Sequence, residues 1–185
     1  VKPEETPGSA RKIFEEQRKQ RAKLLSAKGE ITSKELPEAK KEGEKDVVAI
    51  RKKLVEGKHD IVNITEETGQ YSVLAGGKAK IRMAKPLADK YMEAQKILSD
   101  KGIEIQIADS KVDYSVKKKQ YEEYVAGGEK GAKVADPDRS FHTIGFAFDL
   151  AQNPEMKRPE VAEALKSVGL VPHDDEWWHW SLEKV

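Results

Sequence analysis

Two short segments near the C-terminus contain the residue types of a catalytic metal site. One of them, SFHTIGFAFD, contains His142 and ends at Asp149, and the other, EWWHW, begins at Glu176 and contains His179. Zinc in a hydrolase typically takes three protein ligands and keeps a fourth position for water, whose pKa the metal lowers to roughly 7. We therefore expect the two histidines and the aspartate to bind one zinc ion, and Glu176 to act as the general base.

Each of these residue types also has an ordinary structural role. A single histidine is more often a core or loop residue than a ligand, and Glu176 by itself would be a surface glutamate. Ser140 is expected to be a turn residue or a hydroxyl that supports a ligand, because the metal already provides the nucleophile. A second possible cluster, formed by His173, Asp174 and Asp175, is expected to be a loop.

Pairing of two strands would bring the ligands together. The apolar run before Asp149 predicts a strand with His142 in the loop that enters it, and the alternation over residues 176–182 predicts another strand that carries His179. Antiparallel pairing of these strands would form the site. Because side chains three positions apart in a strand point to opposite faces, Glu176 can share the site with His179 only if the backbone between them is irregular.

The remaining periodicities predict an α+β domain in which a small central antiparallel sheet is flanked by helices. A helical period over residues 85–101 ends at Gly102, and a half-buried strand follows over residues 103–108. A helix against such a strand is typical of an α+β layer. Further helices are expected over residues 116–125 and 159–168, and β-prone pieces over residues 59–65 and 71–74.

The first sixty residues differ in composition from the rest of the chain. Lysine, arginine and glutamate dominate them, and helices are expected over residues 10–27 and 37–56. We predict a charged helical arm or linker over residues 1–57 and a catalytic domain over residues 58–185. The arm is either a solvated linker or a docking segment for a larger assembly. Truncation before about residue 58 is expected to leave the domain folded.

Composition excludes several classes of protein and site. The chain has no cysteine, which excludes disulfides, thiolate metal ligands and a cysteine nucleophile. Its formal net charge is +1 although 36% of its residues are charged, so no nucleic-acid partner is expected. No apolar run reaches about 18 residues, so no transmembrane segment is expected.

The two metal segments resemble those of a family of peptidoglycan peptidases. They match the patterns S-x-H-x-x-G-x-A-x-D and E-x-W-H. Both look like the zinc segments of the D-alanyl-D-alanine carboxypeptidases and L-alanyl-D-glutamate endopeptidases, a family that includes phage lysins. The matching residues are Ser140, His142, Gly145, Ala147 and Asp149 in the first pattern and Glu176, Trp178 and His179 in the second.

A stretch upstream matches the family less completely. The family often carries Y-R-T-x-x-x-Q-x-x-x-Y-x-x-G, and Tyr114, Gln120, Tyr124 and Gly127 fall at the same offsets. The arginine of this pattern falls at Ser115. The resemblance implies that this arginine binds the substrate carboxylate or stabilises the oxyanion. A serine cannot supply a bidentate cation, so another residue must replace it if the activity is intact.

The resemblance nevertheless implies where substrate would bind. The expected substrate-binding positions are Ser115, Gln120, Trp178 and Arg139. The missing cation could come from Arg139 or from one of four lysines, namely Lys111, Lys117, Lys118 and Lys119.

The resemblance further implies a zinc peptidase that hydrolyses an amide bond in cell-wall stem peptides. We expect an L-alanyl-D-glutamate endopeptidase of a phage lysin or virion-associated hydrolase, because the charged arm suits attachment to a virion or larger protein. A D-alanyl-D-alanine carboxypeptidase is the close alternative, and an inactive zinc-containing module that binds the cell wall or the virion is the third. The expected partner is bacterial peptidoglycan, reached from a phage virion or lysin or by a secreted or periplasmic enzyme.

Overall fold

The computed structural model describes residues 46–185. The helix predicted over residues 10–27 and the first part of the one predicted over residues 37–56, up to residue 45, lie outside this part of the chain. The helices are α1 Val47–Glu56, α2 Ile64–Thr68, α3 Lys85–Ser99, α4 Tyr114–Ala126 and α5 Pro159–Ser167. The strands are β1 Ile61–Asn63, β2 Arg82–Ala84, β3 Ile107–Asp109, β4 Ala147–Leu150, β5 Val171–His173 and β6 Glu176–Ser181.

These elements form an α+β fold, as the sequence predicts. Strands β1 and β2 pair in a small antiparallel sheet, and four strands form an antiparallel sheet in the order β3-β4-β6-β5. The pairing of β4 with β6 confirms the prediction that the two metal segments lie on neighbouring antiparallel strands. Within residues 46–185, none of the helices combines the length and the apolar character needed to cross a bilayer.

The two faces of the four-stranded sheet have different chemistry because side chains alternate along a strand. Phe148 and Trp180 are opposite each other in the β4–β6 ladder, and both are buried. Phe148 contacts Tyr91 of α3 edge to face, with ring centroids 5.8 Å apart. The next ladder position pairs Asp149 with His179 and so places polar side chains on the opposite face.

Helix α3 packs on the apolar face through Tyr91. A proline stands at its first turn, where the missing amide hydrogen costs nothing, and Gly102 follows its end with a φ of 70°. Its buried side chains recur at helical spacing and are Leu87, Ala88, Tyr91, Ala94 and Leu98. Helix α5 packs beside it and buries Val161, Ala164 and Leu165.

Helix α1 packs onto the domain although it belongs to the predicted arm. Its N-cap is Asp46, whose carboxylate accepts a hydrogen bond from the Ala49 backbone nitrogen at 3.0 Å. Leu54 is only 4% exposed, and Val47 and Ile50 also pack against the core. A cut before residue 58 would therefore expose apolar contacts between α1 and the domain.

Several short elements differ from the prediction. Residues 71–74 form no strand, and only an isolated bridge joins Tyr71 to Lys80. The strand predicted over residues 103–108 is regular only over Ile107–Asp109. Its alternation is nevertheless reflected in burial, since the isoleucines at 103, 105 and 107 are all buried. Strands β2 and β5 were not predicted because three residues are too few to show a period.

Candidate metal centre

Strand register places two of the predicted ligands side by side. Asp149 lies within β4 and pairs directly with His179 of β6. Residues opposite each other in an antiparallel pair have Cβ atoms about 5 Å apart, so their side chains can share one ion. Asp109 of β3 pairs with Asp149 on its other side, which extends the polar row across three strands.

The third predicted ligand, His142, lies in the turn that enters β4. The backbone nitrogen of Gly145 donates to the carbonyl of His142 at 3.2 Å and closes this turn. Gly145 has a φ of 78°, and a Cβ there would lie 2.8 Å from the backbone nitrogen of Ala84. The turn therefore requires glycine both for its backbone conformation and for its close approach to β2.

The three side chains converge on one point. Asp149 Oδ1 lies 3.0 Å from His179 Nδ1 and 3.2 Å from His142 Nε2, and the two ring nitrogens are 3.2 Å apart. Three ligands about 2.1 Å from one ion lie about 3.0 Å apart in octahedral geometry and about 3.4 Å apart in tetrahedral geometry. The observed triangle falls within these limits, so this cluster could hold a metal ion.

A backbone carbonyl fixes the orientation of the His142 ring. His142 Nδ1 donates to the carbonyl oxygen of Ser110 at 2.8 Å, and a carbonyl can only accept. Nδ1 therefore carries the hydrogen, and in the neutral ring Nε2 presents its lone pair to the other two ligand atoms. This is the arrangement that commonly orients a metal-binding histidine.

The electrostatics of the cluster favour a cation between its members. Burial alone would lower the pKa of His142, but the Asp149 carboxylate beside it raises that pKa to about 9. Burial would likewise raise the pKa of Asp149, but His142 and His179 hold it well below its usual range. In the metal-free protein the cation is a proton on His142, and a metal ion would have to displace it.

Metal affinity should therefore depend on pH. Below about pH 9, the proton on His142 must leave before its Nε2 can bind an ion, so we expect the affinity to fall by up to tenfold for each unit that pH is lowered. Above that pKa the affinity should level off. Calorimetric titration with a divalent ion in buffers of different ionisation enthalpy would measure the released proton. An affinity that is constant between about pH 7 and pH 9 would contradict this arrangement.

The predicted base lies in the same cavity as the three ligand atoms. Glu176, His142, Asp149 and His179 all line one cavity of about 910 Å³. In the β5–β6 ladder, Pro172 pairs with Trp180 but His173 pairs with Glu176, so the register shifts across this part of β6. The shift confirms the predicted irregularity between Glu176 and His179, and it explains how residues three apart can line one cavity.

The structure brings only some of the predicted substrate-binding residues to this cavity. Gln120, Arg139 and Ser140 line it. Ser115 is exposed near the start of α4, outside the cavity lining, and Trp178 is 5% exposed within the core. Trp178 is buried because it shares the strand face of Trp180, whereas His179 points to the other face.

Sequence reasoning did not identify Ser110, Asp109 or Lys133 as contributors to the site. Ser110 acts through its carbonyl, which no sequence pattern reveals. Asp109 follows a weak strand signal, and burial raises the pKa of its carboxyl group. Lys117 was one of the four candidate lysines, and it is the one among them that lines the cavity. Lys133, from the loop after α4, also lines it. Among the residues predicted as a loop, His173, Asp174 and Asp175 also line the cavity, at the β5–β6 turn.

Comparison of the chain with protein-family models and with curated protein sequences gives no match.

Proposed function

We propose that this chain is a zinc-dependent peptidase that hydrolyses an amide bond in peptidoglycan stem peptides. The observation that carries the proposal is the triangle of ligand atoms on His142, Asp149 and His179, with Glu176 on the wall of the same cavity. Three ligands leave a coordination position open, which distinguishes catalytic from structural zinc sites. Within residues 46–185 these three are the only group of histidine and acidic side chains found close enough to hold an ion.

The donor set supports zinc over calcium and magnesium. Two imidazole nitrogens and one carboxylate oxygen match zinc, whereas calcium and magnesium prefer sites built from oxygen ligands. When bound, zinc would supply Lewis acidity toward the scissile carbonyl and lower the pKa of a water molecule. The Ser110 carbonyl holds the ring of His142, and Asp149 provides the negative charge that the cation needs.

Glu176 is assigned the proton transfers of this reaction. As general base it takes a proton from the attacking water, and as general acid it passes that proton to the nitrogen of the leaving amine. A carboxylate at the cavity wall suits both steps, because one side chain must reach the nucleophile and the leaving group in turn.

The substrate class is proposed from the resemblance of the two metal segments to those of peptidoglycan peptidases. We favour the L-alanyl-D-glutamate endopeptidase over the D-alanyl-D-alanine carboxypeptidase, because the position of the family's arginine is occupied by an exposed serine, Ser115. In this proposal the enzyme acts at the bacterial cell wall, and the charged segment before α1 attaches it to a virion or larger protein.

Defined stem peptides would test both the activity and the bond. The zinc-loaded protein would be incubated with a soluble pentapeptide stem that contains both bonds, and the products separated by chromatography and identified by mass. Release of L-alanine from the N-terminus supports the endopeptidase, and release of D-alanine supports the carboxypeptidase. No cleavage of this peptide or of intact peptidoglycan would contradict the proposal.

Lys117 should supply part of the missing positive charge. It is half-buried in the cavity wall, one turn into α4, and its charge acts on the buried carboxyl group of Asp109. Losing a charge-assisted hydrogen bond to substrate costs about 1.5–3 kcal/mol, so Lys117→Gln should raise KM about tenfold to a hundredfold. Lys118→Gln is the matched control, because Lys118 is exposed and pairs with Glu122 at 3.9 Å. Equal KM values for the two variants would contradict this role.

A metal-containing interaction module without catalysis is the second candidate. The observation that favours it is Ser115, which lacks a cation and lies outside the cavity lining. Such a module would bind one zinc ion and peptidoglycan but would release no product.

A further inference from the structure

One side chain of α1 holds the loop that carries His142. Arg51 Nε donates to the carbonyl oxygen of Ser140 at 3.2 Å, and its Nη2 donates to Thr143 Oγ1 at 2.9 Å. Nη2 also lies 3.4 Å from the carbonyl oxygen of Pro137. The guanidinium therefore contacts the chain on both sides of His142, across a sequence separation of 86 to 92 residues.

These contacts fall where the loop has no regular secondary structure to hold it. The hydroxyl of Thr143 lies 2.9 Å from the Ser140 carbonyl and 3.1 Å from the Pro137 carbonyl, so the same groups that meet Arg51 also contact one another. The backbone of His142 itself is held by Val112, whose nitrogen donates to the His142 carbonyl at 3.2 Å. Arg51 thus completes a set of contacts that fixes the position of the ligand's backbone.

The guanidinium is presented by a packed helix. Leu54, one turn after Arg51, and Ile50, the residue before it, anchor α1 in the core. Val47, at the start of the helix, reaches the cavity wall. A planar guanidinium can donate from separate nitrogens to separate acceptors, which the ammonium of a lysine cannot do with the same geometry. The position therefore needs arginine and not merely a positive charge.

We propose that Arg51 is a positioning residue of the metal centre, so that α1 forms part of the site. The inference rests on the proposed metal site. Arg51 does not touch the ion or the substrate. It sets the place of His142 through the loop backbone, and ligand atoms must be held within a few tenths of an ångström for tight binding.

The test compares the metal affinity of Arg51→Met and Arg51→Lys with that of the unaltered chain. Zinc affinity would be measured by competition with a chromophoric chelator, and the ligand geometry by the visible absorption of bound Co²⁺. We expect both variants to lose about tenfold to a hundredfold in affinity, as partners that orient ligands typically do. The Co²⁺ spectrum should also change, because His142 shifts relative to the other two ligands.

Lys53→Met is the matched control, since Lys53 is an exposed residue of the same helix. It should leave the affinity and the spectrum unchanged. Denaturant unfolding of each metal-free variant would separate a loss of fold from a loss of positioning. If Arg51→Met does not fold, Arg51→Lys decides the question, because it keeps the charge and the aliphatic stem.

Wild-type affinity and an unchanged Co²⁺ spectrum in a folded Arg51 variant would overturn the inference, whatever the change in stability. That outcome would leave the proposed function intact. Failure of the unaltered chain to bind any ion would instead overturn the proposed metal site and this inference with it.

Discussion

Replacing Asp149 with alanine is expected to abolish tight metal binding. Its Oδ1 lies 3.2 Å from His142 Nε2 and 3.0 Å from His179 Nδ1. Asp149 is also the only anionic residue of the three predicted ligands. Zinc sites with four ligands contribute about 10–16 kcal/mol, so one ligand accounts for roughly 2.5–4 kcal/mol and its loss should weaken binding by about 10²-fold to 10³-fold. Chelator competition and metal analysis of the dialysed protein would measure the loss.

Asp175→Ala is the control for this variant. Asp175 is an acidic residue on the same cavity wall, but it is not a member of the triangle. If negative charge in the cavity were sufficient for metal binding, the two variants would lose similar affinity. We expect Asp175→Ala to retain about one ion per chain with nearly unchanged affinity, and retention of tight binding by Asp149→Ala would contradict the ligand assignment.

Replacing Glu176 with glutamine is expected to remove activity without removing metal. The amide keeps the size of the side chain but cannot take a proton, and the loss of a general base typically costs about 10² to 10⁴ in rate. Because Glu176 is not part of the ligand triangle, the variant should bind zinc as the unaltered chain does. Initial rates on a stem peptide, measured beside metal content, would separate the two effects.

Glu183→Gln makes the same chemical change elsewhere in the same cavity. It should keep most of the activity, because Glu183 follows the end of β6 and is not next to a ligand in the ladder. Equal losses of rate in the two glutamine variants would assign the effect to the charge of the cavity and not to a base at Glu176.

The sequence correctly predicted those helices and strands in which the spacing of apolar residues matches the spacing of buried positions. The spacing of apolar residues in α3 and α5 is the spacing of their buried positions, and Gly102 marks the end of the α3 region as expected. The apolar run before Asp149 and the alternation after Glu176 likewise predicted β4 and β6. Two of the three predicted ligands lie on those strands, so their juxtaposition followed from antiparallel pairing.

The same alternation could have corrected the prediction for Trp178. In β6, residues 178 and 180 share one face, and Trp180 pairs with the buried Phe148. Trp178 therefore points into the core, whereas His179 points into the cavity. Resemblance to a motif identified the position, but the strand period decides the direction of its side chain.

The contributors that sequence did not reveal act over long separations or through the backbone. The Ser110 carbonyl orients His142 from 32 residues away, and a carbonyl has no signature in the side-chain pattern. Arg51 acts from still further away and lies in a stretch whose many charges obscure the apolar anchors Ile50 and Leu54. The division of the chain after residue 57 stays a prediction, but α1 packs on the domain and contacts the loop of His142.

The most direct test of the central claim is mass spectrometry of purified peptidoglycan after incubation with the zinc-loaded protein, with Glu176→Ala as the control. If the protein is a zinc peptidase, the unaltered chain will produce new stem-peptide termini and Glu176→Ala will not. The masses of the products will identify the bond that is cut. If both proteins leave the peptidoglycan uncut while each binds about one zinc ion, the site holds metal but performs no hydrolysis of this substrate, and the peptidase assignment is wrong.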